Sequence, residues 1–158
     1  MKKLTSAQAY PKIRHYCAYQ ERSHKEVRNK LFEYGLYASE VDELLTQLIT
    51  DGFLNEERYA KAFAGGKFRI KKWGRIKIVN ELESSGVSQY CITKALKEIT
   101  EDDYLKTLHE LLNKKADLLH AETPFEKRSK LARYAIQKGF EPDLVWPAIK
   151  NLTSGESI

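Results

Sequence analysis

Apolar residues recur along this chain at spacings of three and four, and the recurrence itself repeats. Three glycines anchor it: Gly35, Gly86 and Gly139, separated by 51 and 53 residues. Eight residues before each stands Val27, Ile78 or Leu131, and four before stands Leu31, Leu82 or Ala135. Directly after each comes Leu36, Val87 or Phe140. Six residues on lies Val41, Ile92 or Val145, followed by Leu44, Ala95 or Ala148 at nine and Leu45, Leu96 or Ile149 at ten. The i, i+4 spacing into the glycine predicts a helical face ending at a left-handed C-cap, where glycine carries no Cβ penalty. The apolar residue beyond packs back on the last turn. The six-to-ten pattern then predicts a second, short amphipathic helix.

A longer helical stretch precedes each pair, at roughly 6–20, 55–73 and 101–120. In the second, Tyr59, Phe63, Gly66, Ile70 and Trp73 follow a 4-3-4-3 spacing that predicts one buried seam. In the third, Tyr104, Leu105, Leu108, Leu111, Leu112 and Leu119 build an apolar stripe. Pro11 is read as marking where the first of these helices begins. Ser23-His24-Lys25-Glu26 fits a capping box, and Thr123 with Pro124 fits an N-cap and first turn. The expected architecture is all-α: three tandem three-helix repeats, at 1–53, 54–100 and 101–152, forming an elongated, curved molecule. A repeat of about 50 residues is marginal alone, so neighbours must share packing or tolerate flexibility. Residues 153–158 are expected to form a disordered tail.

Little in the chain suggests covalent chemistry. The 158 residues hold two cysteines, Cys17 and Cys91, too few for a disulfide scaffold. Cys17 shares a helical face with Ile13 and reads as a buried structural thiol. The histidines His15, His24, His109 and His120 do not pair with the cysteines at metal-ligand spacing. Gly65-Gly66 lacks the Lys-Ser/Thr context of a phosphate loop, and inside a helix the pair points to a bend or a close helix contact. Glu56-Glu57 and Asp102-Asp103 fall in first turns, where carboxylates offset the helix dipole. No catalytic residue, metal site or cofactor is expected. The apolar runs are only a few residues long, far too short to span a membrane, and a monomeric cytoplasmic protein is the economical reading.

Charge changes the picture. The formal net charge is +5, and all of the excess lies in residues 53–100, where ten Lys/Arg face five Asp/Glu. No acid occurs between Glu57 and Glu81, so of Lys67, Arg69, Lys71, Lys72, Arg75 and Lys77 only the last, with Glu81 at i+4, has an acid at helical spacing. These six residues, interleaved with Phe68 and Trp73, are the candidate binding surface for an anionic partner, whether phosphate or an acidic protein groove. Arg22 and Arg58 read as structural, each placed to hold a helix junction by pairing with a carboxylate.

Three groups of residues stand out together: Glu21-Arg22-Ser23-His24-Lys25-Glu26-Val27 with Lys30-Leu31 and Gly35; then Asp51-Gly52-Phe53-Leu54-Asn55-Glu56-Glu57-Arg58-Tyr59-Ala60 with Phe63; then Gly74, Ile78, Glu81-Leu82 and Gly86-Val87. In combination they resemble the RecX family, bacterial regulators of the RecA recombinase. The resemblance is close over about residues 15–90 and rests on the repeat pattern beyond. It implies a curved array of three-helix repeats that binds in the groove of the RecA–DNA filament. It further implies inhibition of RecA ATPase, strand exchange and coprotease activity, and so a role in DNA repair, recombination and the SOS response. Direct, nonspecific binding to single- or double-stranded DNA is implied for some members. The chain departs from the family pattern where Gly65 and Lys67 replace arginines and Arg75 replaces a frequent proline. Two other readings stand beside this one: a nonspecific nucleic-acid-binding module, and a helical-repeat scaffold for some other protein.

Overall fold

The computed structural model describes residues 3–121 and 123–156, with side chains described as far as Leu152. Its elements are α1 (Ser6–Tyr19), α2 (His24–Glu33), α3 (Ala38–Thr50), α4 (Glu56–Gly66), α5 (Arg75–Ser84), α6 (Gln89–Leu96), α7 (Glu101–Leu118), α8 (Pro124–Gln137) and α9 (Pro142–Glu156). A short π-helical turn, Lys67–Lys71, extends α4. There is no strand among the described residues, and the all-α repeat architecture is present. No described helix is long and apolar enough to cross a membrane. Of the tail expected at 153–158, residues 153–156 continue α9 and the last two lie outside the described residues.

The repeat positions are the core. Gly35, Gly86 and Gly139 all have positive φ, at 86°, 79° and 102°. The six apolar positions around each glycine are buried in every copy except at Leu96. The sequence repeat is therefore a record of which side chains leave water, at about 25 cal/mol per Å² of apolar surface.

Contacts divide the chain into two compact units, Met1–Phe63 with Leu82–Ala95, and Ala64–Glu81 with Leu96–Ile158. In the first, α1, α2 and α3 pack pairwise around Ile13, Val27, Leu31, Val41 and Leu48. The capping box at Ser23 forms in both directions with Glu26. A second one, Thr5 with Gln8, sets the start of α1 at Ser6. Pro11 thus lies inside α1 rather than at its start, because the cap supplied by Thr5 decides where the helix begins. Arg58 binds Glu21 and the Gly52 carbonyl, the latter at 3.1 Å. Arg22 donates to the Tyr16 carbonyl at 3.0 Å, stacks on the Tyr16 ring and lies 3.9 Å from Glu26. Cys17 is buried on α1, and loss of hydration pushes its pKa up to about 11.

In the second unit α7, α8 and α9 pack pairwise, and the start of α5 is joined to the end of α8. The first N–H groups of a helix and the last carbonyls of another need partners. Here they serve each other: Gly74 N–H donates to the Lys138 carbonyl at 2.8 Å and Ile76 N–H to the Gly139 carbonyl at 3.0 Å. The positive end of one helix dipole faces the negative end of another. Two glycines permit the approach. A Cβ on Gly74 would lie 2.3 Å from Gly139 C, and one on Gly139 would lie 2.5 Å from Lys77 Cβ.

Between these N–H groups, that of Arg75 donates to Tyr104 Oη at 2.9 Å, and Tyr104 donates in turn to Glu141. The Tyr104 ring is wholly buried, 5.9 Å from Phe68 and 5.0 Å from Phe140. Burial, reinforced by the hydrogen bond to Glu141, raises its pKa and keeps the phenol protonated.

Gly74→Ala and Gly139→Ala are expected to destabilise the chain by about 2–4 kcal/mol each, read as a lowered urea midpoint. Gly66 has helical φ −64°, and a methyl group added there would meet no atom within 4 Å. Gly66→Ala should therefore move the midpoint the other way, by about 0.5–1 kcal/mol. Tyr104→Phe strands the Arg75 N–H and removes a donor to Glu141, so a loss of about 1–3 kcal/mol is expected in the same titration.

Candidate functional site

The cationic stretch is shaped by the π-helical turn. After Gly66 the backbone widens, and one residue more than an α-helix needs is taken up over Lys67–Lys71. The phase of the side chains shifts with it. Phe68 turns inward, 6% exposed, while Ile70 turns outward, 78% exposed. The seam expected through Ile70 is thus corrected: the buried line runs through Tyr59, Ala60, Ala64 and Phe68. Lys72 then takes a left-handed conformation, φ 59° and ψ 39°, the one non-glycine residue with positive φ among those described. Such a residue costs roughly 1 kcal/mol or more. Its ammonium donates to the Arg69 carbonyl at 2.8 Å, which helps to hold the turn.

The six candidate cations do not form one uniform strip. Lys67 and Lys77 converge on Trp73, with Nζ atoms 4.9 and 4.6 Å from the ring centroid. This places a half-buried indole between two ammonium groups, each contributing on the order of 0.5–1 kcal/mol at an exposed site. Arg69 folds back over Gly65, where its guanidinium nitrogens occupy the space a Cβ would need. The guanidinium is the mobile end of a long side chain and could give way to a Cβ, so this contact does not by itself require glycine at position 65. Lys71 and Lys72 are exposed and have no carboxylate partner among the described residues.

Arg75 has a different place. Its guanidinium binds Glu141 at 2.9 Å and Glu101 at 3.0 Å and lies 3.8 Å from the Tyr104 ring centroid. Its side chain is 24% exposed. Burial opposes its charge, and the two carboxylates outweigh that, so its pKa rises. Arg75 positions α5 from within the second unit. A proline here would lack the N–H that Tyr104 accepts, which gives the departure at this position a structural reason.

Trp73 is the residue that periodicity misplaced. It reads as core by spacing, yet it is the platform on which two lysines meet. Lys67 and Lys77 lie ten residues apart on separate elements, and only the turn between them brings them together. The interleaving of aromatic and basic residues was the available signal.

Comparison with known proteins agrees with this anatomy. Residues 55–96 match the family description "RecX, second three-helix domain" and residues 101–149 match "RecX, third three-helix domain". A regulatory protein RecX of Clostridium perfringens is 29% identical over 137 residues, covering 85% of this chain and 64% of that protein. One of Bacillus cytotoxicus is 25% identical over 144 residues, covering 91% of this chain and 53% of its own length. The chain thus spans between half and two thirds of the length of these relatives. Among solved structures, a crystal structure of RecX from Lactobacillus salivarius superposes with a TM-score of 0.84 at 23% identity, covering 94% of this chain and 96% of that one. A second crystal structure, of regulatory protein RecX, gives 0.83 at 22% identity over 92% and 73%. With two successive RecX domains matched between residues 55 and 149 and the fold shared nearly end to end, the chain belongs to the RecX family of regulatory proteins.

Proposed function

We propose that this chain is a noncatalytic regulator that binds the RecA–DNA filament and inhibits its ATPase, strand-exchange and coprotease activities in the cytoplasm, and so modulates repair and recombination. Family membership supports the class of function. The observation that carries the site is the lysine pair on Trp73, set in a stretch without carboxylates between Glu57 and Glu81. Lys67 and Lys77 are the central contacts, flanked by Arg69, Lys71 and Lys72. Arg75 acts through the helix it anchors. The three repeats, at 1–53, 54–100 and 101–152, supply the frame. A groove lined by phosphates attracts such a surface over about a Debye length, roughly 8–10 Å at physiological salt, which speeds docking more than it tightens it.

The test is ATP hydrolysis by preformed RecA filaments on single-stranded DNA, titrated with this protein beside an anisotropy titration of the bare strand. Inhibition is expected at concentrations well below the bare-DNA dissociation constant. Inhibition appearing only where the protein coats free DNA would instead support the nucleic-acid-binding module, and no effect on either would leave a repeat scaffold.

The double variant Lys67→Glu/Lys77→Glu is expected to raise the half-inhibiting concentration on the order of tenfold and to flatten its salt dependence, with the helical circular dichroism unchanged. Unaltered inhibition by this variant would remove the Trp73 platform from the interface.

A further inference from the structure

Helix α7 carries a second stripe besides the one that faces its core. Thr107, Glu110, Leu111, Lys114, Lys115 and Leu118 follow 3-1-3-1-3 spacing on one face, while Tyr104, Leu108 and Leu112 are buried on another. That face borders a cleft of about 430 Å³ within the second unit, closed on its other sides by the π-helical turn and α8. Beside Tyr134, its apolar lining is aliphatic: Ile70, Leu111 and Leu118, of which Ile70 and Leu118 are 78% and 69% exposed. Two large aliphatic side chains left in water at one cleft mark a contact surface rather than scattered exposure.

Five lysines surround this floor: Lys71, Lys72, Lys114, Lys115 and Lys138. None has a carboxylate partner among the described residues. Lys72 and Lys138 donate to backbone carbonyls, at 2.8 and 3.0 Å, and Lys115 lies 4.6 Å from the Tyr134 ring centroid. Glu110 is the single acid on the wall.

We propose that this lysine-rimmed cleft docks an acidic peptide segment carrying large apolar anchor residues, an interaction centred on α7 rather than on Trp73, with Lys71 and Lys72 shared between the two surfaces. The rim calls for several negative charges, and the floor calls for aliphatic or aromatic anchors among them. A nucleic acid fits less well. Its bases need open aromatic faces, whereas the one aromatic on the wall, Tyr134, already holds the Lys115 ammonium against its ring. A small inorganic anion would use the lysines and leave the floor in water.

The probe is a fluorescein-labelled peptide of aspartate and glutamate bearing one leucine and one phenylalanine a helical turn apart, with a matched peptide in which both are serine. Anisotropy with the full chain should show the anchored peptide binding at least about fivefold more tightly than the serine peptide. Lys114→Glu should weaken it on the order of tenfold and Leu118→Ser about fivefold, while Lys97→Glu, a charge-matched change at an exposed site outside the cleft, leaves it unaltered. Both test residues are exposed, and circular dichroism checks that each variant folds. Equal binding of the two peptides, indifference to Lys114→Glu and Leu118→Ser, or displacement by unlabelled oligodeoxythymidylate at concentrations comparable to the peptide would overturn the proposal.

Discussion

The second compact unit depends on one joint, where the backbone at Gly74 meets the backbone at Gly139. Helix ends are normally satisfied by side-chain caps or water. Here α5 has its first N–H groups taken by the carbonyls that close α8, and by Tyr104 Oη between them. Because the contact is backbone to backbone, no side chain at either glycine can be accommodated. Everything nearby inherits its position from this joint. Tyr104 is fixed by two hydrogen bonds, Glu141 by Tyr104 and Arg75, and Arg75 by the two carboxylates it bridges. A buried phenol with a raised pKa is the natural hub for such a network, since it donates to a carboxylate and accepts from a backbone amide without changing charge.

The π-helical turn distributes the cations that the joint holds in place. The buried line of α4 runs on at four-residue spacing from Ala60 and Ala64 to Phe68, and the wide turn that follows leaves Ile70 outside it. Phe68 stacks on Tyr104 at the end of that line, and the lysines around it face two ways. Lys67 goes to Trp73, and Lys71 and Lys72 go to the cleft beside α7. One stretch of sequence thereby serves two surfaces of different chemistry, an indole between ammonium groups and an aliphatic floor within a lysine rim.

Much of the fold is legible in the sequence because the repeat positions carry it. The glycine-anchored pattern identifies the residues that are buried, the C-caps and the second helix of each pair, and Ser23 and Thr123 mark two helix starts. What escaped has identifiable physical causes. Pro11 was outweighed by a capping box a few residues earlier, which is a local signal of equal strength. The π-helical turn could not be read, since a one-residue change of phase looks like an ordinary 4-3-4-3 seam until Phe68 and Ile70 are seen to exchange places. The Arg75 carboxylates, Glu101 and Glu141, lie 26 and 66 residues away, so an acid-free local sequence gave a false impression of an unpaired cation. The charge excess itself was plain, but which lysines share a surface is a property of the turn.

Cys17 shows what burial does to reactivity. With its pKa near 11, roughly one molecule in ten thousand carries a thiolate there at neutral pH. Peroxides and electrophiles act on thiolates, and the few that form lie within the core shared by α1, α2 and α3. The side chain thus behaves as a compact apolar filler, kept from such chemistry both by its raised pKa and by its enclosure in the core.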